Sequence, residues 1–400
     1  MKEAIKLSPN VYWVGAHDFD LRHFHGSMFP IDEGTSYNAY LIVDEQITLI
    51  DTVEADFIDV MLERITSVIK DRNIDHIIVQ HAEPDHSSGF IKFMEKYPNA
   101  KPHASISGIR LMMKQYFKDY SFHQIKTGEL LCTGHYHFTF LEMPLIHWPD
   151  NILTYLEEEK IAFSSDAFGQ HIASYDMFDD AHPLNKCIDK AKDYYANIVM
   201  PYGDRVLMKL KEIENMKITI DMIAPAHGII WRSHVAEILD AYHDFASFKA
   251  DNKAIILYES VWNNTKHMAE TLSEGLGKNG ICVKLFKISE TSSALIMKEL
   301  LDSKAIFIGS GCYNNAIAIE VIAFLEKLSI NKPKHKLGLG FGSYGWFKNV
   351  PNEINQRIEK AGITLLDEGI AQCCTPTSED FEHIIALGEK YADKIKNSDI

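Results

Sequence analysis

Residues Ile74–Phe90, IDHIIVQHAEPDHSSGF, end an apolar, β-branched run in a cluster of His81, Glu83, Asp85 and His86. Two imidazoles and two carboxylates within six residues, where a strand should stop, point to metal ligation. Buried groups of these types are costly unless they are paired or bound to a cation. The same half of the chain places further ligand types close after apolar runs: His147 in PLIHWPDN, Asp166 closing IAFSSD, and His227 after MIAPA. Taken singly, a histidine after a strand is more often a hydrogen-bonded structural residue, and an aspartate there is often a turn residue. The His81–His86 cluster draws the other three into one reading, a metal site at the ends of several strands.

A second chemistry is written in the other half. YESVWNNTKHMA places Ser260, Val261, Trp262, Asn263, Asn264 and Thr265 between a strand and a helix. Hydroxyls, amides and main-chain N–H groups at a helix N-terminus suit a phosphate. No Walker lysine follows, which argues against a nucleoside triphosphate. Alone, the stretch also fits a capped helix after a turn. Two further loops follow strands: GSGCYNN, with Gly311, Cys312, Tyr313, Asn314 and Asn315, and FGSYGWF, with Ser343, Tyr344, Gly345 and Trp346. In open α/β sheets such loops meet at the carboxyl ends of neighbouring strands, where ligands bind. The rings of Tyr313, Tyr344 and Trp346 offer flat faces to an aromatic ring system.

The elements that must position these residues follow two grammars. Up to about residue 249 the chain reads as strands and loops with few helices. SYNAYLIVDEQITLIDT (Ser36–Thr52) is a hairpin pattern, Phe57–Lys70 a helix, and Ile74–Gln80, His137–Pro144, Asn151–Asp166 and Ile220–Gly228 are strand-rich. The periodicity also predicts a helix over Leu184–Met200. From about residue 250 strands alternate with helices: strands at Lys253–Tyr258, Cys282–Ile288, Ala305–Ser310 and Lys336–Gly342, the first helix at Thr265–Lys278. Such alternation predicts a parallel sheet covered on both faces. The chain of 400 residues is long enough for two domains, and the change of grammar at Ser247–Lys253 divides it into 1–249 and 250–400.

Composition narrows the function. A formal net charge of −16 argues against nucleic acid as a partner. No apolar run reaches the length of a membrane span, and the N-terminus MKEAIKLSPNVYWVG lacks a signal-peptide core; the expected location is the cytoplasm. The six cysteines show no C-x-x-C pair, so neither a zinc ribbon nor an iron–sulfur module is indicated, and they read as reduced thiols.

The set H-x-E-x-D-H, H-W-P-D, S-x-D-x-F-G and a late H-G, followed by the three loops, resembles the flavodiiron proteins, over nearly the whole chain. The resemblance implies a metallo-β-lactamase-like αββα sandwich (α+β) followed by a flavodoxin-like, doubly wound α/β domain. It implies two non-haem irons: His81, Glu83 and His147 on one, Asp85, His86 and His227 on the other, Asp166 between them. It implies FMN, with residues 260–265 on the phosphate and residues 311–315 and 343–346 flanking the isoalloxazine. The related zinc hydrolases carry a second histidine where this chain has Glu83. Three carboxylates and four imidazoles make a harder, more anionic shell, which suits iron cycling between oxidation states.

The implied activity is reduction of dioxygen to water, of nitric oxide to nitrous oxide, or both. Electrons would pass from an external donor such as rubredoxin through FMN to the iron site, in a head-to-tail homodimer or a dimer of dimers. His25, His171 and Tyr195 lie in segments resembling those near the iron pocket and are expected to bond a bound oxygen species or deliver protons. Two departures stand out: Asn263 where many flavodoxins have glycine, and Cys312 where threonine is usual. Two other readings remain open at this level. One is a zinc hydrolase with an accessory flavodoxin domain; the other is a flavin electron carrier with a structural metal.

Overall fold

The computed structural model describes residues 3–26 and 29–398. Two compact units divide the chain: Met1–Phe24 with Ile31–Tyr194 and Asp204–His243, and His25–Pro30 with Tyr195–Gly203 and Asp244–Ile400.

In the first unit, strands Ile5–Ser8, Val11–Trp13, Tyr40–Ile42, Thr48–Ile50, His76–Ile78, Lys101–Ala104 and His123–Gln124 form a seven-stranded sheet in that order. Strands Leu130–Cys132, His137–Glu142, Ile152–Leu156, Ile161–Phe163 and Met222–Ala224 form a second sheet of five. The sequence of the central strands explains the layering. Tyr40, Ile42, Ile50 and Ile78 point into a core shared with Phe138, Phe140, Ile152, Leu156 and Phe163 of the second sheet. The intervening Leu41, Leu49 and Ile77 point the other way, into a core with Met61, Ile65 and Phe93 of flanking helices. Successive side chains of a strand face opposite sides, so an unbroken apolar run is what a sheet buried on both faces requires. Helix Ile58–Ile69 meets it with Ile58, Met61, Leu62, Ile65 and Ile69 buried, a spacing of three and four that makes one apolar stripe. The hairpin expected over Ser36–Thr52 is present, with Tyr40 opposite Ile50 and Ile42 opposite Thr48.

One expectation of length is corrected. The helix predicted over Leu184–Met200 is α-helical only to Tyr194; Tyr195–Val199 forms a π turn and Met200–Tyr202 a 3-10 turn. Pro201, which has no N–H and whose ring crowds the carbonyl of residue 197, keeps a regular α-helix from reaching Met200.

The second unit is a parallel sheet in the order Cys282–Lys287, Asp251–Glu259, Ser303–Tyr313, Leu337–Tyr344, Thr364–Leu365, with Ile370–Cys373 also pairing with Leu337–Tyr344. The chain thus runs second strand, first, third, fourth, which is the doubly wound flavodoxin-like order. The third strand overruns the predicted Ala305–Ser310. It continues to Tyr313 and folds back on Ala316–Ile317, Tyr313 opposite Ala316. Asn314 and Asn315 sit at φ +49° and +62°. A two-residue hairpin turn needs both central residues in the left-handed region, and asparagine is the non-glycine residue that tolerates it best.

Helices Asn264–Lys278 and Ser378–Lys396 touch through backbone at Gly275 and Gly388. A Cβ on Gly388 would lie 2.8 Å from the Gly275 Cα and 2.9 Å from the Leu276 N. A Cβ on Gly277, in the same helix, would meet nothing within 4 Å. Gly388→Ala is therefore expected to cost about 1–3 kcal/mol through overpacking. Gly277→Ala should be neutral or stabilising by up to about 1 kcal/mol. Urea denaturation of the two variants separates them; equal midpoints would contradict the close helix contact.

Candidate metal centre and flavin loops

The metal-ligand candidates stand where strands stop. Past strand His76–Ile78, Gln80 anchors the turn: its N–H donates to Asp51 Oδ1 (2.7 Å), and its side-chain amide donates to the carbonyls of Ile152 (2.6 Å) and Phe163 (2.9 Å) on the other sheet. His81 follows, and Glu83 caps the four-residue helix Pro84–Ser87 that carries Asp85 and His86. The Thr52 hydroxyl at the end of the hairpin donates to the His86 carbonyl (2.6 Å) and holds this helix. Asp166 follows strand Ile161–Phe163, and His227 follows strand Met222–Ala224. Four non-glycine residues with positive φ lie in these segments: Asp51 at +55°, Leu145 at +68°, Ser165 at +54° and Phe168 at +66°. Such strained backbone persists only where its surroundings over-determine it, and it gathers at functional sites. Gly228, at φ +79°, has no room for a side chain: a Cβ would lie 1.7 Å from Gln170 Oε1.

The seven side chains converge in two groups. His81, Glu83, His147 and Asp166 each bring one ligand atom within 4.8 Å of the others, and so do Asp85, His86 and His227. Asp166 lies between the groups. Its Oδ2 is 3.4 Å from His81 Nε2 and 3.2 Å from His147 Nε2. Its Oδ1 is 3.1 Å from His86 Nε2 and 3.5 Å from His227 Nε2. Glu83 Oε2 lies 3.1 Å from His81 Nε2 and 3.2 Å from His147 Nε2, and Asp85 Oδ2 lies 3.2 Å from His227 Nε2.

These distances are short, yet both carboxylate oxygens of Asp85 and of Asp166, with Nε2 of His86 and of His227, are buried without a hydrogen-bond partner. The atoms face a shared space rather than each other. Metal bonds of about 2.1 Å set at right or tetrahedral angles place neighbouring ligand atoms about 3.0–3.4 Å apart. The donor set and its spacing therefore fit a pair of metal ions.

Outer contacts orient the rings. His81 Nδ1 is 3.1 Å from Asp150 Oδ2, which also accepts from the Ala82 N–H (2.6 Å). His227 Nδ1 donates to the Ser36 carbonyl (2.8 Å). His86 Nδ1 is 3.9 Å from Asp51 Oδ2. In each case Nδ1 faces an acceptor and Nε2 faces the centre, the arrangement that fixes the ligating tautomer. Asp150, in the quoted HWPDN stretch, was missed as a functional residue. Its sequence signal is its place at the end of H-W-P-D, three residues after His147.

The protein's own charges are organised around this centre. Burial opposes ionisation of Asp166, but the surrounding imidazoles, His86 foremost, hold its carboxyl well below the usual range. Burial opposes charging of His86 too, yet Asp85 and Asp166 push it up to about 9. His81 is raised despite its burial, by hydrogen bonds with Asp150 and Glu83. Asp51, fully enclosed, is pushed up to about 7 by burial. The carboxylates thus favour protons on His81, His86 and His147, and metal binding would displace them.

The residues expected around the pocket separate. His171 lies in it: Nδ1 is 2.9 Å from Thr35 Oγ1, and its ring centroid is 5.6 Å from that of His227. His25 is exposed at a turn with φ +52°, and its neighbour Phe24 covers His171 and His227, centroids 4.5 and 5.5 Å away. Tyr195 is buried against Phe245, centroids 5.5 Å apart. The preceding residue, Tyr194, lies in the pocket instead, 5.1 Å from His171 and 6.1 Å from His227. The spacing Cys187, Ala191, Tyr194 is the buried face of its helix and could have singled it out.

The three loops of the second unit enclose a cavity of about 520 Å³ lined by Ser260, Val261, Trp262, Asn264, Gly311–Asn314, Ser343–Trp346 and Cys374. That volume lies in the range of cofactor clefts, about 300–1,000 Å³. Three of the expected residues support the wall from behind or beside it. Asn263 turns the chain at φ +65° into helix Asn264–Lys278, a conformation that explains how asparagine replaces glycine. The buried Thr265 hydroxyl bonds with Ser343 Oγ (2.8 Å), and Asn315 Oδ1 accepts from Trp346 Nε1 (2.5 Å). With the helix N-terminus at one end and Tyr313, Tyr344, Trp262 and Trp346 along the walls, the cavity fits a phosphate joined to a planar ring. Cys374 was not foreseen.

Comparison with known proteins agrees with both halves. Residues 35–228 match the ODP family beta lactamase and residues 256–388 the flavodoxin family. A nitric oxide reductase of Moorella thermoacetica is 38% identical over 397 residues, spanning 99% of this chain and 100% of the relative. An anaerobic nitric oxide reductase flavorubredoxin of Aliivibrio fischeri is 34% identical and spans 90% of this chain and 73% of its own length. Among solved structures, the rubredoxin oxygen:oxidoreductase of Desulfovibrio gigas superposes with a TM-score of 0.96 at 32% identity, covering 98% of this chain and 99% of that one. The flavodiiron protein from Giardia intestinalis gives 0.94 at 27% identity, covering 99% and 97%.

Removing the carboxylate behind His81 tests the site. Asp150→Asn should weaken metal retention about 10–100-fold while leaving the fold intact. Metal per chain after dialysis against graded chelator measures it; retention equal to the parent protein would refute the orienting role.

Proposed function

The chain belongs to the flavodiiron family, whose cofactors are FMN and two non-haem irons, and from that premise we propose that it is an oxidoreductase reducing nitric oxide, dioxygen or both. The observation that carries the proposal is Asp166, which turns one carboxylate oxygen to each ligand group. That geometry supports His81, Glu83 and His147 as ligands of one iron, Asp85, His86 and His227 as ligands of the other, and Asp166 as the bridge. Glu83 favours this reading over zinc hydrolysis, because it adds an anionic oxygen where the hydrolases carry a neutral imidazole. When bound, the two ferrous irons and the reduced flavin supply Lewis acidity and four electrons, enough to take one dioxygen to two waters; two nitric oxide molecules need two.

The protein's part is positioning and protons. His81, His86 and His227 are turned by their Nδ1 partners so that Nε2 faces the centre, and His147 also directs Nε2 there. Phe24, Tyr37 and Tyr194 place rings around His227 and limit water there. His171, held by Thr35, and Tyr194 are the proposed proton donors to a reduced oxygen atom, and His25 is proposed for the same role from its sequence segment alone. Burial and the charges of Asp166, Asp85 and Glu83 keep the Tyr194 phenol protonated throughout the physiological range.

In the second unit, residues 260–265 would hold the FMN phosphate, and residues 311–315 and 343–346 would flank its ring. We take residues 1–249 and 250–400 as the two domains and the head-to-tail homodimer as the working unit. A small donor such as rubredoxin, acting in the cytoplasm, would supply electrons. The relatives named for nitric oxide, and the Desulfovibrio protein named for rubredoxin and oxygen, support these assignments.

The test is anaerobic reduction of the holoprotein, followed by nitric oxide or dioxygen in separate experiments. The expected result is reoxidation with two electrons consumed per pair of nitric oxide molecules or four per dioxygen. Reduced protein that consumes neither gas would refute the proposal and leave an electron carrier.

A further inference from the structure

Cys373 ends strand Ile370–Cys373, opposite Tyr344 in the parallel ladder. Cys374 follows at φ +57°, its N–H donating to the Tyr344 carbonyl (2.8 Å). Both side chains are exposed, both are thiols, and their sulfurs are 3.7 Å apart. Cys374 also lines the cavity assigned to the flavin, beside Tyr344 and Trp346. A solvent-open dithiol on the wall of a two-electron cofactor site has no part in the iron chemistry above.

We propose that Cys373 and Cys374 form a redox-active vicinal dithiol that reduces low-molecular-weight disulfides and is re-reduced by the flavin. Consecutive Cα atoms are about 3.8 Å apart, closer than the roughly 4.4–6.8 Å that ordinary disulfides span. A bond between neighbours is therefore strained and more oxidising than an unstrained one, so an excess of the small disulfide must drive the exchange forward, and the protein disulfide is readily reduced in turn. The Cys373 S–H donates to the Cys374 sulfur, and this bond raises the Cys373 pKa. Cys374, the one of the two that lines the cavity, is assigned as the first nucleophile and Cys373 as the resolving thiol.

The chemistry balances without a further reactant. The Cys374 thiolate attacks one sulfur of R–S–S–R; that S–S bond breaks, a mixed disulfide forms, and one RS⁻ leaves. Cys373 gives up its proton and attacks the Cys374 sulfur; the mixed S–S bond breaks, the Cys373–Cys374 bond forms, and the second RS⁻ leaves. Two electrons have passed to the small disulfide, and the two protons of the protein thiols end on two R–SH. With FMN held in the cavity, its reduced form would supply two electrons and solvent two protons, returning the protein disulfide to the dithiol. This last step rests on FMN occupying the cavity; the exchange steps do not.

Oxidised glutathione is the probe, added to anaerobic oxidised holoprotein. The parent protein should fall from six titratable thiols to four and lose two hydrogens in intact mass, with no retained glutathione. Cys373→Ser should instead retain one glutathione on Cys374. A lasting adduct mapped to Cys373 or Cys374 of the parent protein, rather than to the exposed Cys132 or Cys282, or six thiols unchanged, overturns the dithiol. Photoreduction of the bound flavin should then restore six thiols, whereas flavin-stripped protein under the same light should stay at four. A disulfide that survives full flavin reduction overturns the flavin step. Failure to take up FMN, read from absorbance, overturns the cofactor reading instead, and the glutathione result still decides the dithiol.

Discussion

Buried carboxylates cannot share a cleft unless positive charge lies between them. Asp51, Asp150 and Asp166 are enclosed here within a few ångströms of four imidazoles, with Glu83 and Asp85 at the edge. An isolated buried carboxylate is expensive, and its usual escape is protonation. Asp51 takes that direction, its pKa rising to about 7. Asp166 goes the opposite way, because imidazoles surround it on both sides. Two cations divided by that one carboxylate would meet the same requirement, with the Nε2 protons released.

The rest of the first unit reads as scaffolding for that balance. Two sheets meet face to face through aromatic and branched side chains, so their strand ends open on one edge. Gln80 links the sheets just before His81, spending a buried amide on carbonyls of the opposite sheet. The positive-φ residues at 51, 145, 165 and 168 bend the chain sharply after strands, which aims the following side chains into the cleft. In the second unit the same device, loops at carboxyl ends of parallel strands, makes the cavity for a phosphate and a ring. Backbone conformation again carries the fit, at Asn263 and at the Asn314–Asn315 turn.

How much of this was legible depends on how local each signal is. The His81–His86 cluster is contiguous, and its alternation with an apolar strand announces both position and chemistry. His147, Asp166 and His227 carry no such local signature; the cluster and the family resemblance pointed to them, and the geometry brings them together. Asp150 stayed hidden because a carboxylate that serves a ligand looks like any turn aspartate. Tyr194 and Tyr195 are adjacent and chemically identical, and a π turn begins between them, so only the buried-face spacing separates their roles. The long parallel strands were plain from composition, whereas the overrun of the third strand into a hairpin depended on two asparagines in a left-handed turn. Cys374 joins the flavin cavity because strand Ile370–Cys373 pairs beside Leu337–Tyr344, a long-range pairing no spacing rule reveals.

The central claim is that seven side chains hold two irons joined through Asp166. Iron and zinc analysis combined with EPR spectroscopy during stepwise reduction tests it most directly. The account predicts two irons per chain, silent when fully oxidised. A spin-coupled mixed-valence signal should appear at one electron and disappear at the second. Zinc in place of iron, or a single uncoupled ferric signal, would contradict it.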